Sequence, residues 1–212
     1  MRLVEELKGL DANYYIITGD GTRESEILEE LCKKYDGYNK ILWFPRKGLK
    51  KKTGLSALDV VKDIPGDFGI NQIIYTVDAD AIEGDPQIKI QDKLLSIGIN
   101  VSEVYPIQNA LLIKCRFGSH NVFLYCIITG VSTCIEEEIA KLMEIKLGII
   151  IDCSGEKNVN WSNRIKNEIN KKLHEIDKRI RVRTLVRDTE ISYLEESFPN
   201  ICAILKEIEK DC

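Results

Sequence analysis

Two hydrophobic periods alternate along this chain. Short apolar runs rich in β-branched and aromatic residues stand at "YYIIT" (14–18), "KILWF" (40–44) and "IIYTVDAD" (73–80), each bounded by turn or breaker residues. Runs of that length and composition read as buried strands. Between them the period lengthens. In "RESEILEELCKKY", Ile27, Leu28, Leu31 and Tyr35 recur at helical spacing, with acids early and Lys33 and Lys34 late, as the helix dipole prefers. Thr22 reads as its N-cap. "LSALDVVKDI" predicts a short helix closed by Pro65 and Gly66, and "QIKIQDKLLSIG" a helix ended by Gly98. Strand, helix, strand, helix, strand, helix with short connections is the pattern of a parallel sheet covered on both faces.

After Gly98 the pattern changes. "VSEVYPI", "ALLIKCRF" and "VFLYCIITG" are three strand-like runs, the last two joined by "GSHN", a hairpin turn that would carry His120. "CIEEEIAKLMEIKL" follows as a helix, "GIIIDC" as a strand, and "WSNRIKNEINKKLHEID" as another helix with His174 on its exposed side. "RIRVRTLV" reads as extended, and "LEESFPNICAILKEIEK" as helical with Pro199 near its middle or start. The expected architecture is α/β and Rossmann-like. An α/β core spans residues 1–150, and a mainly helical extension, 151–212, packs on it as one unit.

Composition narrows the class without changing the fold. The 212 residues, 44% hydrophobic and 30% charged, describe a globular chain with a proper core. A formal net charge of -4 argues against binding nucleic acid through bulk positive charge, but leaves room for a local basic groove. No apolar run approaches the roughly 20 residues that span a bilayer, and "MRLVEELKGLDANYY" does not read as a signal peptide. The seven cysteines form no CxxC pair, and neither histidine stands at metal-ligand spacing to them. They read as buried thiols of a cytoplasmic protein.

The candidate chemistry lies where strands end. On a strand, side chains two apart share a face, so Asp78 and Asp80 would point the same way and repel unless a cation, a basic group or water intervenes. In open parallel sheets function gathers at the carboxyl ends of the strands. "GDGTRE" follows a strand too, which would bring Asp20, Glu24, Asp78 and Asp80 to one rim. Hard oxygen ligands in that number suit Mg²⁺ or Mn²⁺. The loop "RKGLKKKTG" places Arg46, Lys47, Lys50, Lys51 and Lys52 after another strand, where they could neutralise the phosphates of DNA or RNA. Each feature has a plainer reading: aspartates in a solvated strand-end loop, an ordinary βα turn, a solvated charged loop.

A strand ending in a glycine turn, a helix, and a later strand ending in DxD resemble the TOPRIM domain of topoisomerases, bacterial-type primases, OLD-family nucleases and recombination proteins. The resemblance runs over residues 14 to about 150, and its sharp element is the DxD at Asp78 and Asp80. It implies that these aspartates bind Mg²⁺ around a phosphoryl-transfer site. The family's acid–base glutamate precedes a glycine, and here Thr18 precedes Gly19. Asp20 or Glu24 would have to supply that group. "IITGVSTCIEEEIAKLME" is similar to a segment of small stand-alone TOPRIM-like proteins related to OLD nucleases, which makes Glu136 and Glu137 the matching acids and Glu136 a further metal ligand.

Three functions follow as expectations. The first is a Mg²⁺-dependent, nuclease-like phosphoryl-transfer or nucleic-acid-processing protein. The second is a catalytically inactive TOPRIM-like module that binds nucleic acid or protein, which Thr18 favours. The third is an α/β enzyme that cradles a nucleotide or sugar phosphate in "GDGT".

Overall fold

A computed structural model describes residues 1–18, 22–35, 39–45, 52–130, 134–155 and 159–210, without the side chains of Thr22 and Val159. The chain forms β1 (Arg2–Val4), β2 (Tyr14–Thr18), α1 (Thr22–Cys32) and β3 (Ile41–Trp43). A 3₁₀ segment (Gly54–Val60), α2 (Ile64–Phe68), β4 (Gln72–Asp78) and α3 (Pro86–Ser96) follow. Then come β5 (Asn100–Ile107), β6 (Ala110–Phe117), β7 (His120–Thr129) and α4 (Ile135–Leu147). The chain closes with α5 (Val159–Ile176), α6 (Val182–Arg187), α7 (Ile191–Ser197) and α8 (Pro199–Lys210).

These strands make one seven-stranded, mostly parallel sheet in the order β1-β3-β2-β4-β7-β6-β5. Strands β1, β3, β2, β4 and β7 run parallel, while β5–β6–β7 form an antiparallel meander. The fold is α/β and Rossmann-like, as the alternating periods predict. No helix among the described residues is long and apolar enough to cross a membrane.

The period-two alternation of the central strands divides the core. Tyr14, Ile16, Ile74, Tyr125 and Ile127 face one side, where they pack with residues of α1, α4, α5 and α8. Tyr15, Ile17, Ile73, Tyr75, Leu124 and Cys126 face the other, beneath the 3₁₀ segment and α3. The C-terminal helices are joined to the first layer: Trp161, Ile165, Phe198 and Leu205 belong to the same buried cluster as Tyr14 and Ile127. Trp161 also donates its indole N–H to the carbonyls of Cys153 and Ser154, at 3.2 and 3.3 Å. The six described cysteines are unbridged, and all but half-buried Cys153 are buried.

The connections create a switch point. The helix α1 leaves β2 on one face and returns to β3, on one side of β2. The next crossover uses the opposite face and reaches β4, on the other side of β2. Ligand crevices of open α/β sheets lie at the carboxyl ends of strands where connections diverge in this way. Here that place is the carboxyl edge between β2 and β4.

Several elements differ from the sequence expectations. The helix expected over 55–64 is a 3₁₀ segment, and Pro65 opens α2 instead of closing its predecessor. Proline's missing N–H and fixed φ suit a first helical turn. "GIIIDC" is not a strand: Gly148, at φ 66°, caps α4, Ile150 is exposed, and β7 already has a strand on each side. "RIRVRTLV" contains α6, where Val182, Leu185 and Val186 bury one helical face. His120 is the first residue of β7, paired with Phe117, and not part of the turn itself. β1 was too short to stand out, yet it adds an edge strand beside β3.

Candidate acidic site at the switch point

Registry brings the strand ends together. Thr18 pairs with Thr76 across β2 and β4, and Asp78 with Thr129 across β4 and β7. Asp78, the last residue of β4, accepts through Oδ1 from the Thr129 hydroxyl at 2.6 Å and from the Ile135 N–H at 3.1 Å. The second bond is a cap supplied from another strand. Cys134, at the N-cap of α4, offers no side-chain acceptor, and Asp78 takes a first-turn amide instead. Both of these bonds fall on Oδ1.

The turn that carries the chain from β7 into α4 is set by Gly130. Its φ is +81°, and a Cβ there would stand 2.5 Å from the N and O of Cys134 and 2.7 Å from its carbonyl carbon. Any side chain must push the start of α4 away from Asp78. Gly130→Ala is expected to destabilise the fold by about 2–4 kcal/mol, from left-handed strain plus the backbone clash. Urea unfolding measures it, and a loss under about 0.5 kcal/mol would refute the tight-turn argument.

Three further acids act on Asp78 or are acted on by it, and Asp80 follows it two residues on. Glu24, in the first turn of α1, and Glu136 and Glu138, in the first turn of α4, are buried, while Asp80 is exposed. Burial pushes the Asp78 carboxyl up to about 7; the Thr129 and Ile135 hydrogen bonds oppose this, and the charges of Glu24 and Glu136 reinforce it. Asp80 is also raised, by desolvation and then by the charges of Glu136 and Glu137, against the amides of Asp80 and Ala81. Glu138 is raised to about 8 by burial, with Asp78 and Glu137 adding repulsion and the Gly130 N–H and Lys141 partly compensating. Its Oε2 is buried without a hydrogen-bond partner among the described residues. One guanidinium enters the group: Arg23 Nη1 lies 3.0 Å from Glu136 Oε1, and Nη2 donates to Asn170 Oδ1 of α5 at 3.0 Å.

The expected residues therefore divide. Glu24, Asp78 and Glu136 converge, but Asp80 reaches the rim by a different route from the one predicted. β4 ends at Asp78, and Asp80 lies in a single 3₁₀ turn (Ala79–Ala81), so the strand's period-two rule does not orient it. Glu136, expected as a metal ligand, is paired with Arg23. Lys52, expected on nucleic acid, bonds Asp59 at 2.5 Å, and Lys93 bonds the same carboxylate. Asp20 in the "GDGT" turn, and Arg46, Lys47, Lys50 and Lys51, lie outside the described residues. Arg23, Thr129, Gly130 and Glu138 escaped notice in the sequence. Only Glu138 left a signal, since helical spacing sets it with Ile135, Ile139 and Leu142 on the apolar face of α4.

The donor set bears on which kind of metal the rim would hold. Among the described residues, no group of three or more His, Cys, Asp or Glu forms a ready cage. Mg²⁺ does not require one: it is held by one or two carboxylates and keeps several waters. Asp78, with one oxygen outside the cap hydrogen bonds, and exposed Asp80 are the described carboxylates that would have to take that part. A dry site built from many ligands does not fit.

The fold is thus that of an α/β protein with acidic side chains at the carboxyl end of its central strands. No family model, curated protein or solved structure matches the chain.

Proposed function

We propose that this protein is a Mg²⁺-dependent, nuclease-like phosphoryl-transfer or nucleic-acid-processing protein with a TOPRIM-like acidic site. The observation that carries the reading is the position of Glu24 and Glu136, in the first turns of the helices that follow β2 and β7, beside the end of β4 where Asp78 stands. Natural folds seldom crowd buried carboxylates without a structural or chemical use, and displaced pKa values in a crevice mark functional groups. Asp78 and Asp80 hold the ion in this reading. On this reading Glu24, buried in the first turn of α1, would exchange a proton with a reacting oxygen, in the role that Thr18 cannot fill. When bound, the metal supplies charge stabilisation at a phosphodiester oxygen.

A second reading has its own support. Thr18 stands where the family resemblance asks for glutamate, and Asp78 Oδ1 already caps α4. On that reading the protein is an inactive TOPRIM-like module that binds nucleic acid or protein.

Incubation of the full chain with single- and double-stranded DNA and RNA, in Mg²⁺, Mn²⁺ or EDTA, separates the two. The first reading expects cleavage or phosphoryl transfer that EDTA abolishes. Polynucleotide retention without turnover, weakening with salt at a log–log slope of about 0.7–0.9 per phosphate contacted, would instead establish the binding module.

A further inference from the structure

We propose that the outer face of α5 docks duplex DNA through its major groove, with an asparagine stripe on the base edges and lysines on the phosphates. The inference rests on the nucleic-acid reading above and supplies a surface for it.

Charge points to the class of partner. Residues 159–187 carry nine Lys and Arg against three Asp and Glu, within a chain whose formal net charge is -4. Part of that charge is neutralised locally: Arg183 pairs with Glu29 and Glu30, Arg179 with Asp177, and Lys172 with Glu175. Lys166 and Lys171, both exposed on α5, form no ion pair among the described residues. A basic strip on an otherwise acidic chain attracts a polyanion at one place only.

The helical period supplies the chemistry between the lysines. Trp161, Ile165, Ile169 and Leu173 fall four apart and are buried, which fixes one face of α5 to the core. On the opposite face Asn160, Asn163, Asn167, Asn170 and His174 recur at intervals of three and four, all exposed. Lys166 and Lys171 stand on opposite flanks of this stripe. Asparagine is a poor helix former, because its amide competes for backbone hydrogen bonds, so four along one stripe work against the helix that carries them. Among the described residues only Asn170 of the four is bonded through its side chain, accepting from Arg23 Nη2 at 3.0 Å. A free amide offers a donor and an acceptor together, the combination that matches adenine N6 and N7 in the major groove.

Size and place agree. The 18 residues of α5 make a rod about 27 Å long. The major groove of B-DNA admits such a helix, whereas the deep, narrow groove of A-form RNA does not. The helix also borders the acidic rim. Ser162 Oγ is 3.7 Å from Sγ of Cys134, the N-cap of α4, and the next N–H, that of Ile135, bonds Asp78. DNA laid on α5 therefore passes beside the end of β4.

Fluorescence anisotropy of the full chain with labelled duplexes, in EDTA, tests docking apart from turnover. The wild-type chain is expected to bind random-sequence duplex DNA. Lys166→Gln with Lys171→Gln should bind about tenfold or more weaker at about 0.1 M salt, with a log–log salt slope smaller by about 1.8. Lys62→Gln with Lys89→Gln removes the same charge from exposed positions on the other side of the sheet, and should cost less than about threefold. Asn163→Ala with Asn167→Ala should lose about tenfold on duplexes enriched from a random pool by the wild-type chain, and little on the unselected pool. Variants are compared at matched helicity by circular dichroism. Parental affinity and slope in the α5 lysine variant, or an equal loss in the control, overturns the inference and leaves the nucleic-acid reading standing. So do RNA duplex bound as tightly as DNA, a pool that yields no preferred sequence, and an asparagine variant that keeps the preference. A wild-type chain that retains no nucleic acid would instead remove the nucleic-acid reading itself.

Discussion

Asp78→Asn combined with Asp80→Asn is expected to lower divalent-dependent turnover by at least about 10²-fold while leaving the chain folded. The two parts of the prediction have separate causes. An asparagine at 78 can still accept through Oδ1 from Thr129 Oγ1 and the Ile135 N–H, so the cap on α4 survives. It also removes a charge that burial and the neighbouring Glu24 and Glu136 disfavour, the reason Asp78 ionises only near 7. Stability at about pH 8 should hold or rise. Asp80 is exposed, and its substitution should change stability by no more than about 0.5 kcal/mol. The amides, however, are poor ligands for Mg²⁺ beside the carboxylates they replace. Turnover and near-ultraviolet circular dichroism are measured on the same preparation. Full turnover in the variant would defeat the metal assignment. Lost turnover with lost tertiary signal would mean that Asp78 serves mainly to hold α4.

The sequence made the frame of this site readable and left its closure hidden. Strands β2, β4 and β7 were visible because buried parallel strands are short, continuous apolar runs with abrupt ends, and the hairpin before β7 carries its own turn residues. The acids at the strand ends were visible for the same reason: charge stands out directly after an apolar run. What remained hidden depends on contacts distant in sequence. Arg23 reads as an ordinary first-turn residue, and only the folded chain places it against Glu136, 113 residues away. Thr129 looks like one more β-branched strand residue until registry sets it opposite Asp78. The errors have local causes. Proline opens a helix as readily as it stops one, which is what Pro65 does, and "GIIIDC" has a strand's composition although the sheet has no free position beside β7. Asp80 shows the limit of periodicity: the rule held for β4 and failed two residues beyond Asp78, where the chain turns into a 3₁₀ bend.

Stability should fall as pH rises from about 5 to about 8, and Glu138→Gln should remove much of that fall. Burial pushes Glu138 up to about 8 and Asp78 up to about 7, whereas in the unfolded chain both groups return to the ordinary carboxylate range. Below that range folded and unfolded chains are equally protonated, and the stability associated with the neutral carboxyls is fully present. Between it and the folded values the native chain binds more protons, so stability declines with pH at about 1.4 kcal/mol per unit for each excess proton. Above about pH 8 the carboxyl contribution is exhausted, and the decline continues through the buried thiols of Cys32, Cys115, Cys134 and Cys202, which burial pushes up to about 12. Glu138 has the stronger claim on the carboxyl slope: it is almost wholly enclosed, and among the described residues no donor reaches its Oε2. Glutamine matches its volume and can still accept from the Gly130 N–H without ionising. The variant should gain on the order of 2–3 kcal/mol at about pH 8 and little at about pH 5, read from urea unfolding across the range. Saturating Mg²⁺ should flatten the wild-type curve as well, because a cation beside Asp78 favours the charged form that burial opposes. A wild-type stability that rises through the same interval would show that these carboxyls are ionised at little cost, and that the crevice is wetter than its side-chain packing implies.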